Sequence, residues 1–176
     1  MRRRNLLRKL KKGFTLVEMV IAIAVFAVFS AGTAAVLVPV LNVYSGAVQL
    51  SDAQLVAANI LDAVQNELVY ARPRPDREPE ISEDGSLIEF NGVYPNTRIT
   101  SAPAGETPGY LYIARSAQAN FVPCYDERYY RSDTVEVFFA KAGESHALTV
   151  TVTVKDRNGR AVYTAKQSVT PLAWVS

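Results

Sequence analysis

The chain has 176 residues, enough for about one globular domain with an accessory segment and too few for a large multidomain enzyme. Its 19 Lys and Arg stand against 17 Asp and Glu, but seven of the basic residues (Arg2, Arg3, Arg4, Arg8, Lys9, Lys11 and Lys12) precede Gly13. Beyond them 12 basic residues face 17 acidic ones, a balance of −5, so no nucleic acid is expected to bind the folded part strongly. One cysteine, Cys124, and one histidine, His146, allow no internal disulfide and no Cys- or His-rich metal set, and no cofactor is expected.

From Met19 to Leu41 there are 23 residues without a charge. As a helix this run spans about 35 Å, enough to cross a hydrocarbon core of about 30 Å. The remaining chain is too small to wrap a core helix of that length. The basic cluster ahead of it predicts a cytoplasmic N-terminus, with everything after Leu41 sent outward. An ordinary secretory signal has a shorter apolar core, of about 7 to 15 residues. It would also not place a carboxylate, Glu18, at the entrance of the run, where moving it to mid-membrane costs about 3 kcal/mol.

The string Lys12-Gly13-Phe14-Thr15-Leu16-Val17-Glu18 resembles the processing site of type IV prepilins and type II secretion pseudopilins. Basic leader, glycine, aromatic residue, glutamate and unbroken apolar helix occur together, and the resemblance extends from Met1 to about Tyr70. It implies that a prepilin peptidase cuts between Gly13 and Phe14. It also implies that Phe14 becomes an N-methylated N-terminus and that Glu18 serves filament assembly by neutralising that α-amino group in its own chain or in a neighbour. The implied partners are the peptidase, other pilin or pseudopilin subunits, an assembly platform protein, an assembly ATPase and the lipid bilayer. Many members of the family kink this helix at a proline. The matching position here is Ala35, and Pro39 lies four residues later.

After Pro39 the pattern becomes amphipathic. Leu50, Ala53, Ala57, Leu61, Val64 and Leu68 recur at spacings of three and four. Residues 14 to about 71 therefore read as one long helix, with Pro39 and Ser45-Gly46 as the candidate places for a break. The stretch Ala57 to Leu68 weakly resembles the corresponding helix of minor pseudopilins, and its composition also suits a major subunit. Arg72 to Glu80 carries three prolines and mixed charges, which ends the helix and predicts a solvated loop.

From Ser86 onward the signal is β. Ser86–Tyr94, Tyr110–Arg115 and Thr134–Lys141 read as strands between Gly, Pro and Asn clusters. Leu148 to Val154 alternates apolar residues with threonines, and Asn158-Gly159 provides a turn to a strand from about Arg160 to Val169. A two-residue loop places Val154 opposite Tyr163 and a four-residue loop places Val152 there; both put Tyr163 and Ala165 on the valine face.

The expected fold is α+β and pilin-like, a long N-terminal helix packed on a C-terminal antiparallel sheet. The expected organisation is leader 1–13, membrane and filament-core helix 14–41, amphipathic helix 42–71, charged loop 72–85 and extracytoplasmic β domain 86–176. Chemistry in the β domain is thin. Cys124 reads as a small buried or idle thiol, and His146, beside Glu144 and Ser145, as a turn histidine without a nucleophile elbow. Asp126, Glu127 and Asp133 lack the spacing of a calcium loop. Tyr110, Tyr112, Tyr125, Tyr129 and Tyr130 read mainly as packing. No catalytic or metal-binding residue is assigned. Two functions remain: a filament subunit without turnover, or an uncleaved single-pass protein whose outer β domain binds a ligand.

Overall fold

The computed structural model describes residues 13–72, 79–143 and 147–172. The basic cluster before Gly13, residues 73–78 of the charged loop and His146 with Glu144 and Ser145 lie outside them. The chain divides into two units, Met1–Gly46 and Ala47–Ser176.

Helix α1 runs from Leu16 to Leu68. In the first unit every described residue is exposed, including Phe26, Phe29 and Leu37. Two of the hydroxyls of this stretch turn inward on the helix itself: Thr33 Oγ1 donates to the Phe29 carbonyl at 2.9 Å and Ser45 Oγ to the Asn42 carbonyl at 3.0 Å. Such back-bonding satisfies these two hydroxyl protons in an apolar surrounding. The single long helix holds, and Pro39 lies inside it, because one interior proline removes one helical bond and the helix continues on either side.

In the second unit α1 buries Ala53, Val56, Ala57, Ile60, Leu61, Val64 and Leu68. The stripe is broader than the predicted one, adding Val56 and Ile60 and leaving Leu50 42% exposed. A three- to four-residue period covers more than one row of side chains, and the wider stripe is the normal face of a helix on a globular core. The helix stops at Leu68, earlier than expected. Ala71 N–H turns back to the Leu68 carbonyl, and Arg72 N–H donates to the Asn91 carbonyl at 2.6 Å, capturing the departing chain.

The β part forms two antiparallel sheets where one was expected. The first is a meander of β1 (Glu80–Ile81), β2 (Leu87–Phe90), β3 (Thr97–Thr100), β4 (Tyr112–Ala114) and β5 (Val122–Pro123). The second joins β6 (Thr134–Lys141), β7 (Leu148–Lys155) and β8 (Ala161–Val169). Strands β1, β3 and β5 escape the sequence signal because they are short and hold few alternations; β1 falls inside the stretch expected to be loop. The strand expected over Ser86–Tyr94 ends at Phe90, where Asn91 receives Arg72 and its side chain accepts the Asn96 N–H at 2.9 Å.

The last hairpin pairs Val154 with Tyr163 and Val152 with Ala165, with an irregularity beside Lys155. Its loop is neither of the two lengths considered. Asp156 N–H bonds the Arg160 carbonyl, Gly159 N–H bonds the Asp156 carbonyl, and Gly159 sits at φ +75, which glycine adopts without cost. The extra residue, Val162, restores the pairing that a two-residue loop would have given.

One core joins these layers. Ile60, Val64 and Leu68 of α1 lie among Ile88 and Ile99 of the first sheet and Val135, Val150 and Val152 of the second, all essentially inaccessible. The sheets are stitched along the outer edge of β6, where Val135 N–H donates to the Gly109 carbonyl, Val137 N–H to Ser101 Oγ and Phe139 N–H to the Gly85 carbonyl.

Candidate functional site at the start of the long helix

Gly13, Phe14 and Thr15 are non-helical and Leu16 opens α1. Thr15 is the residue that caps it. Its Oγ1 accepts the Glu18 N–H at 3.3 Å, while a Glu18 carboxylate oxygen accepts the Thr15 N–H at 2.8 Å and the Thr15 hydroxyl at 3.0 Å. This reciprocal arrangement is a capping box, in which two of the donors left over at a helix start find partners. The first helical bond, Met19 N–H to the Thr15 carbonyl at 3.2 Å, follows from it.

The Glu18 carboxylate is therefore held at the N-terminal end of the helix, where the peptide dipoles favour a negative charge. Thr15 had no role in the sequence reading; the spacing Thr-x-x-Glu ahead of an apolar run is the signal that reveals it. Phe14 is 84% exposed, and a side chain placed on Gly13 would meet no atom within 4 Å. The fold does not require glycine there. Beyond Glu18, α1 offers a membrane-length apolar stretch with mean hydropathy 2.5 and no buried residue.

The tyrosines form a packed cluster in the second unit. Tyr125 and Tyr129 stack at 4.4 Å, and Tyr130 lies edge-on to Tyr129 at 5.5 Å. Asn59 on α1 ties them down, donating from Nδ2 to Tyr129 Oη at 2.6 Å and accepting from Tyr125 Oη on its carbonyl at 3.2 Å. Tyr130 is fully buried and donates no accessible surface; its Oη accepts the Leu111 N–H at 3.1 Å, and burial pushes its hydroxyl well above the ordinary tyrosine range. Tyr112, also buried, donates to the Thr107 carbonyl.

Asp126 caps the short 3-10 turn Glu127–Tyr130 by accepting the Arg128 N–H at 2.9 Å, and Glu127 accepts from Tyr110 Oη at 3.1 Å. Asp133 is raised by burial first and by the nearby Asp156 second. Among the described residues no three His, Cys, Asp or Glu side chains come together as a metal set. Cys124 is half-buried in a hollow of about 350 Å³ lined by Glu67, Arg115 and Tyr125, and burial lifts its thiol to about 11 against the pull of Arg115. A thiol held in that form is a poor nucleophile.

A family model described as the prokaryotic N-terminal methylation motif matches residues 8–34. No curated protein and no solved structure matches the chain. The matched segment contains the Gly13–Glu18 site and the first half of the membrane-length stretch, and it is the signal of type IV prepilins and pseudopilins. With the long apolar helix on antiparallel sheets it marks a pilin-like precursor held in the membrane by a single span.

Proposed function

We propose that the chain is a structural subunit of a type IV pilus-like or type II secretion filament, made as a precursor and matured by cleavage between Gly13 and Phe14. The observation that carries this reading is the methylation motif over residues 8–34, centred on a helix whose first half has nothing but exposed apolar surface apart from Glu18 and a few hydroxyls. Gly13 supports it further, since a glycine with no structural duty is what a peptidase needing a bare backbone would require. The prepilin peptidase removes residues 1–13, and the new α-amino group of Phe14 is N-methylated.

That amino group emerges beside the Thr15 N–H, at the helix end where the Glu18 carboxylate already collects donors. In the membrane or in a filament core neither charge is stable alone, so Glu18 pairs with the amine of its own chain or of a neighbouring copy. Residues 14–41 cross the bilayer with the N-terminus cytoplasmic, and later form the filament core. Residues 42–71 continue the helix into the extracytoplasmic domain. Other pilin subunits, the platform protein and the ATPase extract the chain, whose work is polymerisation without turnover.

The second reading is an uncleaved anchor carrying a ligand-binding domain, and processing separates the two. Replacing Gly13 by a bulky residue such as Leu leaves full-length chain in the membrane if the peptidase acts there. Normal shortening of that variant would refute the assignment.

A further inference from the structure

The second sheet has features of opposite charge at its two ends. One end is the tip of the β7–β8 hairpin, where Arg157, Asn158, Gly159 and Arg160 are all exposed. Asp156 is folded into the turn, its carboxylate accepting the Asn158 and Arg160 N–H groups at 2.9 Å, so the tip presents arginine outward. Arg157 Nη2 donates to Ser132 Oγ at 2.8 Å, while the Arg160 side chain meets no partner among the described residues. At the other end a slot of about 730 Å³ opens between β1 with its following turn and the last residues of β6. Glu80 and Glu83 line it against one basic residue, Lys141, and Ile81 and Phe138, the latter 49% exposed, add apolar wall. Carboxylates beside an open aromatic face suit a guanidinium, which can bond the one and stack on the other.

These two ends are separated along the direction of α1. Asp52, early in the amphipathic half of α1, pairs with Arg131, the neighbour of the Ser132 that receives Arg157. Further along, Gln65 accepts from Gln167 Nε2 of β8 at 2.6 Å. The helix therefore runs with β8, from the hairpin tip toward the far end of the sheet. The slot lies at that far end, where Lys141 of β6 pairs with Leu148, which in turn pairs with Val169.

We propose that the hairpin tip of one copy of the chain seats in the slot of a second copy, Arg160 bonding Glu83 and lying on the Phe138 ring. The contact rests on the filament reading and names a subunit interface within it. It is heterologous: each copy gives a tip at one end and takes a tip at the other, so it repeats without closing and builds an open row. Because the two ends are separated along α1, every copy in the row keeps its helix pointing the same way, as chains that share one membrane orientation require. A second copy is the occupant that the charges favour, since the exposed arginines of the tip and the carboxylates of the slot belong to one sequence.

The test uses the full-length chain in a host that carries the peptidase and the assembly machinery. Glu83→Arg and Arg160→Glu are each expected to lower the share of cleaved chain in sheared filaments about tenfold, and the two together in one chain to restore it. Both side chains are exposed, so neither exchange should lower the melting temperature. The second arm places Ala140→Cys in the slot and Asn158→Cys at the tip, on a Cys124→Ser background, and treats cells with a short bismaleimide. Within one copy Ala140 lies six residues along β6 from the Thr134 end beside the tip, about 20 Å, which the reagent does not span. A ladder of dimers, trimers and longer products is expected from the double-cysteine chain, with each single-cysteine chain remaining monomeric. Absence of the ladder, or dimers from Asn158→Cys alone, overturns the proposal. Single charge reversals that match the wild type, or a double reversal that restores nothing, overturn this contact and leave the filament reading standing; a wild-type chain missing from the filaments removes both.

Discussion

Thr15 and Glu18 exchange hydrogen bonds across the first turn of α1, the backbone N–H of Thr15 lying 2.8 Å from the Glu18 carboxylate and the N–H of Glu18 3.3 Å from the Thr15 hydroxyl. The carboxylate thus has a structural duty in the unprocessed chain, separate from any pairing with a processed N-terminus. The two duties respond differently to substitution. Glu18→Gln keeps an acceptor for the cap and loses the charge; Glu18→Ala loses both. Thr15→Val removes the hydroxyl that caps the helix and should cost about 1 kcal/mol of helix stability.

If Glu18 acts through its charge, Gln and Ala variants should insert and be cleaved, and both should be depleted in filaments. The measurement is cleaved chain in sheared filaments relative to cleaved chain in the membrane. A Gln variant incorporated as well as the wild type would show that the cap, and not the ion pair, is what assembly uses.

The junction between the sheets is built on two glycines. Gly85 at φ +72 accepts the Phe139 N–H on its carbonyl, and a Cβ there would stand 2.2 Å from the Phe138 ring; Gly109, at φ +100, would collide with Thr134 at 2.9 Å. Positive φ costs an alanine about 1–3 kcal/mol before any clash is counted. Gly85→Ala and Gly109→Ala are therefore expected to lose about 2 kcal/mol or more by denaturant unfolding, whereas Gly46→Ala, inside α1 with open space around it, should be neutral or slightly stabilising. Equal behaviour of Gly85→Ala and Gly46→Ala would mean that the junction carries no stability.

The amphipathic half of α1 belongs to the domain core. Ile60→Ala should remove about 2–5 kcal/mol, a large share of the roughly 5–15 kcal/mol that holds a domain together. A chain beginning near Gln49 keeps Ile60, Val64 and Leu68 and is expected to be soluble and folded, while one beginning near Arg72 lacks them. Cooperative unfolding of the shorter chain at the same denaturant concentration would show that the helix is dispensable to that core.

Alkaline pH probes Cys124. Its folded thiol titrates at about 11, above the ordinary value of 9.0, chiefly through burial. The folded state therefore holds this proton more tightly than the unfolded one, and its contribution is complete below pH 9 and is lost as pH rises through 11. Tyr110, Tyr112, Tyr125 and Tyr130 are shifted the same way. Cys124→Ser should flatten the stability loss between pH 9 and 11 in part, and at pH 8 the native thiol should react with maleimide more slowly than it does in denaturant. Equal rates in the two states would contradict its burial.

The membrane-length run, the helical stripe and the threonine–valine strand were legible because each repeats a pattern over many residues, and the N-terminal methylation motif because its residue types recur at fixed offsets. The two-sheet division was not, since it depends on Gly85, Ser101 and Gly109 reaching β6 from distant loops, and a two-residue strand such as β1 has no period to detect. Of the site, Gly13, Phe14 and Glu18 stood out by resemblance, while Thr15 was overlooked although its spacing to Glu18 announces a cap. The continuity of α1 through Pro39 was legible in the unbroken apolar run, which outweighs the local effect of one proline.

The most direct test is the intact mass of the chain purified from membranes of a host that carries a prepilin peptidase. The account predicts a mature chain that begins at Phe14, bears one methyl group on its α-amino nitrogen and lacks residues 1–13, with Gly13→Leu remaining at full length. A wild-type chain that keeps its first 13 residues in that host would contradict it.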